Sequence, residues 1–242
     1  MMVSLRNALV GNRSKLVEKS LRKTGSSSAG FIVNGLGNMP TDVTIMFWYK
    51  ITGVTSSNIY NKARCAMKYG NMSTGVGFGA AHWGGSGTHV GLVEGRYWDR
   101  ISNSSISVYD DNWHHVSFAV RSGTAPFSNT VFIDGMIGTQ YSSGLTAAFH
   151  SPVDTFCVCG RTTDDQLGQP CYVYNMKIFN GIASQRDVLD DIGRAGKYPP
   201  TDNLLHHWTG DVVGGKVVDS VGNWHLTISP NCDIVSETPF SA

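Results

Sequence analysis

Between Asp111 and Thr139 the chain reads DNWHHVSFAVRSGTAPFSNTVFIDGMIGT, and this stretch limits the possible folds more than any other. Trp113, His115, Ser117, Ala119 and Arg121 fall on one face of an extended segment, while His114, Val116, Phe118 and Val120 fall on the other. Alternation with a period of two over this length marks a strand with one buried face. A loop with Gly123 and Pro126 leads to a second strand, Thr130 to Ile133, ending at Asp134-Gly135. Asp-Gly accommodates positive φ at both central positions of a tight turn, so a hairpin returns through Met136 and Ile137.

Other segments repeat this chemistry. Asp42 to Lys50 (DVTIMFWYK) is the strongest further β segment, and strands are predicted near Gly75–Ala80, Thr88–Val93, Asn103–Tyr109, Thr155–Gly160 and Tyr172–Phe179. Between them lie turns rich in the chain's 28 glycines, and charged residues make up only 15% of the total. Aromatics at 10% exclude a disordered chain. At 242 residues an all-β domain can remain undivided and bury about 70% of its unfolded surface. One helix is predicted after Phe179, with Ser184 as its cap, Asp187 bonding back at the third position, and Gly196 closing it.

Four short motifs carry a family resemblance over roughly residues 29–239. W-H-H-V followed by V-x-I-D-G resembles the middle of a concanavalin A-like domain of the laminin-G and pentraxin type. T-I-x-F-W-x-K (Thr44–Lys50) resembles an early strand of that sandwich, and K-I-F-N-G-I-A-S (Lys177–Ser184) its late strand and helix entry. Asn203 to Thr227 resembles the L-x-x-x-W…V-x-D-S-x-G element, here placed late, a layout similar to laminin-G-like proteins of tailed-phage particles. The resemblance implies an all-β, two-sheet antiparallel jelly-roll sandwich with one short helix. None of the four motifs is catalytic, and fold alone does not assign function.

Residues 1–25 stand apart in composition. Arg6, Arg13, Lys15, Lys19, Arg22 and Lys23 face only Glu18, a net of +5, against −4 for the rest of a chain whose total is +1. With Leu5, Leu9, Leu16, Val17 and Leu21 at roughly helical spacing, the segment reads as a basic amphipathic arm, residues 26–242 forming the sandwich. Docking on a larger assembly, lying on an anionic membrane, organelle targeting and packing as a terminal helix all fit such an arm. The docking residues would be Leu5, Arg6, Leu9, Arg13, Lys15, Lys19 and Arg22. No secretory signal is expected, since Arg6, Asn12 and Arg13 interrupt the apolar start, and no run approaches the ~20 apolar residues of a transmembrane span. Basic residues outside the arm are scattered over an acidic body, which disfavours nucleic-acid binding.

Five cysteines, an odd number without C-x-x-C spacing, read as small buried thiols. Cys157 and Cys159 are expected to share one strand face, with Cys171 as a possible neighbour. The adjacent histidines 114/115 and 206/207 point to opposite faces if extended, so neither pair chelates one ion. Calcium, which the pentraxin and laminin-G resemblance brings to mind as a cofactor, would take its oxygens from Asp110, Asp111, Asp164 and Asp165. Turn chemistry is the competing reading of the same residues.

Only three glutamates occur: Glu18, Glu94 and Glu237. Retaining glycosidases need two carboxylates ~5–5.5 Å apart. Glu94 and Asp99 would fall on different faces if their segment stays extended. No catalytic residue is therefore assigned. For glycan binding the informative residues are His82, Trp83, Arg96, Tyr97, Trp98 and Asp99, where aromatics beside glycines could stack on sugar rings. Packing of Trp83 and Trp98 in the core is the alternative.

The preferred expectation is a non-enzymatic virion structural protein, made in a host cytoplasm. It would decorate a capsid, form a head fibre or sit on a tail, docking on capsid or tail proteins by its arm. The sandwich would face outward in many copies or as a homo-oligomer, with surface glycans as ligands. A carbohydrate-binding module of a cellular protein is the second reading, and a glycoside hydrolase is the least favoured.

Overall fold

The computed structural model describes residues 18–24, 30–37, 40, 42–53, 63–69, 76–82, 88–94, 97–102, 108, 110–121, 130–141, 153–159, 170–194 and 202–241. Antiparallel strands dominate: β1 (Ser20–Lys23), β2 (Phe31–Gly37), β3 (Asp42–Ile51), β4 (Ala63–Tyr69), β5 (Val76–His82), β6 (Thr88–Glu94) and β7 (Tyr97–Ser102). They continue as β8 (His114–Arg121), β9 (Thr130–Ile133), β10 (Met136–Ile137), β11 (Thr139–Tyr141), β12 (Val153–Val158) and β13 (Cys171–Asn180). Helix α1 (Gln185–Gly193) precedes β14 (Leu204–Val213), β15 (Lys216–Asp219), β16 (Leu226–Ile228) and β17 (Cys232–Val235).

Two layers form, as the jelly-roll expectation requires. Sheet 1 runs β10-β9-β8-β3-β13, and the far edge of β13 is shared. Residues 171–174 of β13 pair with β1, which pairs onward with β17, while residues 176–179 pair with β14. Sheet 2 runs β15-β16-β2-β12-β4-β5-β6-β7-β11. Strand β14 belongs to both: Trp208 pairs with Met176 of β13 and with Asp219 of β15, and after a register shift Val212 pairs with Val217. Gly210 sits in that shift with φ +85°, where a Cβ would lie 2.8 Å from the Lys19 carbonyl oxygen. Only a residue without a side chain lets the strand cross there.

The core follows from alternation. Val43, Ile45, Phe47, Tyr49 and Ile51 of β3 point between the sheets and are each at most 2% exposed. They meet Val116 and Phe118 of β8 and, across the layers, Phe156, Trp208 and Leu226. Phe156 stacks on Trp208 at 5.3 Å. Burial of each such side chain contributes about 1.5–3 kcal/mol. The other face of β3 is also covered. Met46 joins Phe132, Phe179 and Val188 in a second cluster under α1, and Phe240 closes over Trp48 and Tyr174. In β13, Asn175 adopts φ +54° within a bulge, so Tyr174 and Lys177 both remain on this outer face.

Local signals perform as their chemistry dictates. Asp134 (φ 51°) and Gly135 (φ 77°) make the two-residue turn that pairs Ile133 with Met136. Ser184 caps α1 and Asp187 completes the capping box. The helix ends at Gly193 with Arg194 as its cap, before Gly196, which lies outside the described residues.

Three expectations require correction. Residues 18–25 are not all arm: Ser20–Lys23 is strand β1, held between β13 and β17, with Ser20 and Lys23 fully buried. Its charges are matched locally, Arg22 forming a bidentate pair with Asp233 and Lys19 lying 3.6 Å from Asp211. Cys157 and Cys159 do not share a face either. Cys159 turns through φ +56° just past β12 and joins Val158 in the core. Tyr97, Trp98 and Asp99, read as ligand residues beside glycines, stand within strand β7.

Candidate functional site

Backbone register builds one surface of interest from the core outward. Phe156 and Val158 of β12 lie in the core and pair with Tyr69 and Met67 of β4. Cross-strand partners share a face, so the core-side row continues through Val76 and Phe78, then Glu94 and Leu92, then Tyr97 and Asp99. The intervening positions belong to the opposite, outward face. Lys68, Gly77, Val93 and Trp98 form one outward row, and Gly79, Gly91, Arg100 and Tyr141 form the next. Ala81 and His89 follow at the same parity. Three glycines in neighbouring strands thus share a register face with a tryptophan, a tyrosine and cationic residues.

The sequence-predicted ligand residues do not come together as one group. Trp83 and Arg96 lie outside the described residues. His82 ends β5 opposite Thr88, while Tyr97 begins β7 opposite Glu94, so the two sit at opposite ends of β6. Seven residues of strand place them about 20 Å apart. Of Tyr97, Trp98 and Asp99, only Trp98 has outward parity. Glu94 and Asp99, expected on different faces of an extended segment, share one face because the chain reverses between them as a hairpin. They are diagonal neighbours, a relation that puts Cβ atoms within about 7–8 Å.

Expected calcium donors are otherwise engaged. Asp110 accepts from the Asn112 backbone at 3.0 Å and pairs with His114 Nε2 at 2.9 Å. Asp111 accepts the Gly53 N–H at 2.8 Å. Their carboxylates serve different partners, and Asp164 and Asp165 lie outside the described residues. Among the described residues no group of three or more His, Cys, Asp or Glu is arranged to hold a metal. Of the docking residues, Lys19 and Arg22 belong to the β1 region, and Leu5, Arg6, Leu9, Arg13 and Lys15 lie outside the described residues. No described helix is long and apolar enough to cross a membrane.

The histidine pairs split across faces, each side chain finding its own partner. His114 bridges Asp110 and Asp134 (2.8 Å), and these two carboxylates raise its pKa against the opposing effect of burial. His115 points to the outer face of sheet 1 and reaches Asp191 of α1 at 3.0 Å. His206 stacks on Trp224 at 3.9 Å and bonds Asp219 at 2.6 Å, while Asn175 accepts from His207 at 2.5 Å. Asp219 also accepts the N–H groups of His207, Val221, Gly222 and Trp224. Burial would raise its pKa, but the His206 bond and these backbone donors hold it at about 2. Gly222 is required beside it, since a Cβ would meet His206 Nδ1 at 2.4 Å. The D-S-x-G motif is thus the hub of a turn.

A second polar group is sealed beneath α1. Lys177, His115 and Asp191 are 0%, 0% and 2% exposed, and Lys177 Nζ bonds the carboxylate oxygen that His115 does not. Burial lowers the pKa of both Lys177 and His115. Burial would raise Asp191, but the His115 hydrogen bond and the Lys177 charge hold it at about 2. Sequence reasoning missed this triad, because the bulge at Asn175 and the docking of α1 bring its members together.

No family model and no curated protein matches the chain. Solved structures do. A candidate carbohydrate-binding protein from Bacteroides ovatus superposes with a TM-score of 0.62 at 12% identity, over 90% of this chain and 60% of that one. The heptameric SAP-like pentraxin from Limulus polyphemus gives 0.59 at 14% identity, over 91% and 99% of the two chains. The receptor-binding domain of botulinum neurotoxin C/D mosaic serotype gives 0.50 at 15% identity, over 74% and 43%. The chain thus spans 60% of the length of the Bacteroides protein. At these identities the likeness establishes the fold, a concanavalin A-like jelly-roll sandwich.

Proposed function

We propose that the protein is a non-enzymatic carbohydrate-binding module whose glycan-facing surface is the outward side of β4–β7 and β11. The observation that carries this reading is the register placing Trp98, Arg100 and Tyr141 on one face with Gly77, Gly79 and Gly91. Sugar rings stack their apolar faces on aromatic side chains and hydrogen-bond at their edges, which suits this set. Similarity in fold to a candidate carbohydrate-binding protein supports the same reading. Glycan-array binding by the full chain tests it, with loss of binding in Trp98→Ala and retention in Val213→Ala as the expected result. Binding unchanged in Trp98→Ala would move the site elsewhere. Because Glu94 and Asp99 share a face, the same glycans are scored for cleavage. Turnover that disappears in Glu94→Gln would replace the binding reading with a hydrolase.

A particle-docking role for the preceding residues rests on a separate observation. Residues 1–17 contain Arg6, Arg13 and Lys15 and no acidic residue. On this reading the segment fixes the module to a larger assembly such as a virion, displaying it outward in several copies. The deletion that tests it removes residues 2–17 and leaves β1 in place. Co-sedimentation with particles should be lost while thermal unfolding is retained; unchanged co-sedimentation would end the docking reading.

A further inference from the structure

The sealed group under α1 has the composition of a reaction centre. The primary amine of Lys177 touches Asp191 Oδ1, and His115 Nε2 lies 3.0 Å from Asp191 Oδ2. His115 Nδ1 is buried without a hydrogen-bond partner, so the proton resides on Nε2 and is donated to the carboxylate. The Trp48 ring stands edge-on to the imidazole at 5.3 Å, and Met46, Phe179 and Val188 supply apolar cover on the same side of the sheet. We propose that Lys177 and Asp191 are joined by an intramolecular isopeptide bond, which forms after α1 docks on sheet 1.

The chemistry balances without an oxidant or cofactor. The resting ion pair becomes a neutral amine and a carboxylic acid when one proton moves along the Lys177–Asp191 contact. Burial of both charges makes this neutral form more accessible than in water. Lys177 Nζ then attacks Asp191 Cγ, forming the N–C bond. Oδ2, steadied by the His115 Nε2–H hydrogen bond, takes the proton lost by nitrogen, and the acid proton from Oδ1 completes a departing water as the Cγ–Oδ2 bond breaks. One amine and one acid become one amide and one water, and the imidazole ends as it began.

Two physical effects drive the step. Holding amine and carboxyl in contact gives an effective concentration of about 10⁵ M or more in well-oriented intramolecular reactions. The product is a neutral amide in place of two buried charges, and exclusion of water from the site slows hydrolysis back. The bond would tie β13 to α1 covalently.

Intact-mass spectrometry of the denatured full chain is the direct test. The expected mass is lower than the sequence mass by one water, and Lys177→Arg restores the full value. Trypsin should leave residues 162–186 attached to 187–194, because Lys177 is blocked and bonded to the second peptide. An unmodified mass, with 162–177, 178–186 and 187–194 released separately, would overturn the proposal. Peptide mapping on the unmutated chain gives the answer even if Lys177→Arg fails to fold.

Discussion

The outward faces of the two sheets differ in what they do with polar residues. On sheet 1, Thr44, Trp48, His115, Ser117 and Lys177 are all at most 9% exposed, covered by α1 at one end and Phe240 at the other. On sheet 2 the equivalent face of β4–β7 and β11 presents glycines, a tryptophan, a tyrosine and cationic residues by register. The first face satisfies its ionisable groups with one another across a docked helix. The second has a residue set that would serve poorly as core and well as a platform. One sandwich thus buries polar groups on one side, and the proposed ligand surface falls on the other.

The largest effect should come from breaking the sealed face. Asp191→Ala leaves the Lys177 amine and His115 buried without their carboxylate and removes the proposed tie between β13 and α1, and the expected loss is about 3–5 kcal/mol in denaturant unfolding. A loss below about 1 kcal/mol would show that the triad is not a buried electrostatic unit. Val188→Ala, which only thins the apolar contact of α1, should cost about 2 kcal/mol.

A pH titration sharpens the comparison at the sheet-1 rim. His114 has a raised folded-state pKa between Asp110 and Asp134. Its stabilising contribution is therefore complete below the unfolded value of about 6.5 and is lost as pH rises through the folded value. His207, held near about 4 chiefly by burial, acts in the opposite sense and removes stability as pH falls below about 6.5. Subtracting the stability profile of His114→Gln from that of the unmutated protein isolates the first effect. A flat difference above pH ~6.5 would contradict the assigned bridge. The smallest change in stability belongs to the open face: Trp98→Ala should shift it by no more than about 0.5 kcal/mol while abolishing glycan binding. A large stability loss there would mean that Trp98 is packed after all.

Much of the architecture was legible because strong local signals agreed with the tertiary fold. The 114–121 alternation, the Asp134-Gly135 turn and the Ser184–Asp187 box each determine structure within a few residues. Strand β1 was hidden because Lys19, Arg22 and Lys23 look like a solvated arm. The carboxylates that pair with Lys19 and Arg22, Asp211 and Asp233, lie more than 150 residues away, as does Cys232, one of the two strand neighbours of Lys23. The candidate ligand residues did not assemble for a related reason. Trp98 and Asp99 alternate in face as neighbours in any strand, but which of them shares the core side follows from the hairpin register to β6, which composition does not encode. The Lys177–His115–Asp191 triad required the Asn175 bulge and the position of α1 together.

Strand β1 also imposes an order in time. Residues 20–23 leave the ribosome well before their partners, residues 171–174 and 232–235. The hydrogen-bonding groups of that strand must therefore wait until residues 171–174 and then 232–235 have been made. Closing a loop of this size is slow, and open strand edges invite mispairing meanwhile. Arg22, Lys23 and Lys19 place like charges along that waiting edge, which discourages pairing with another nascent copy. The basic character that resembles an address is thus also a means of keeping a strand unpaired until its place exists.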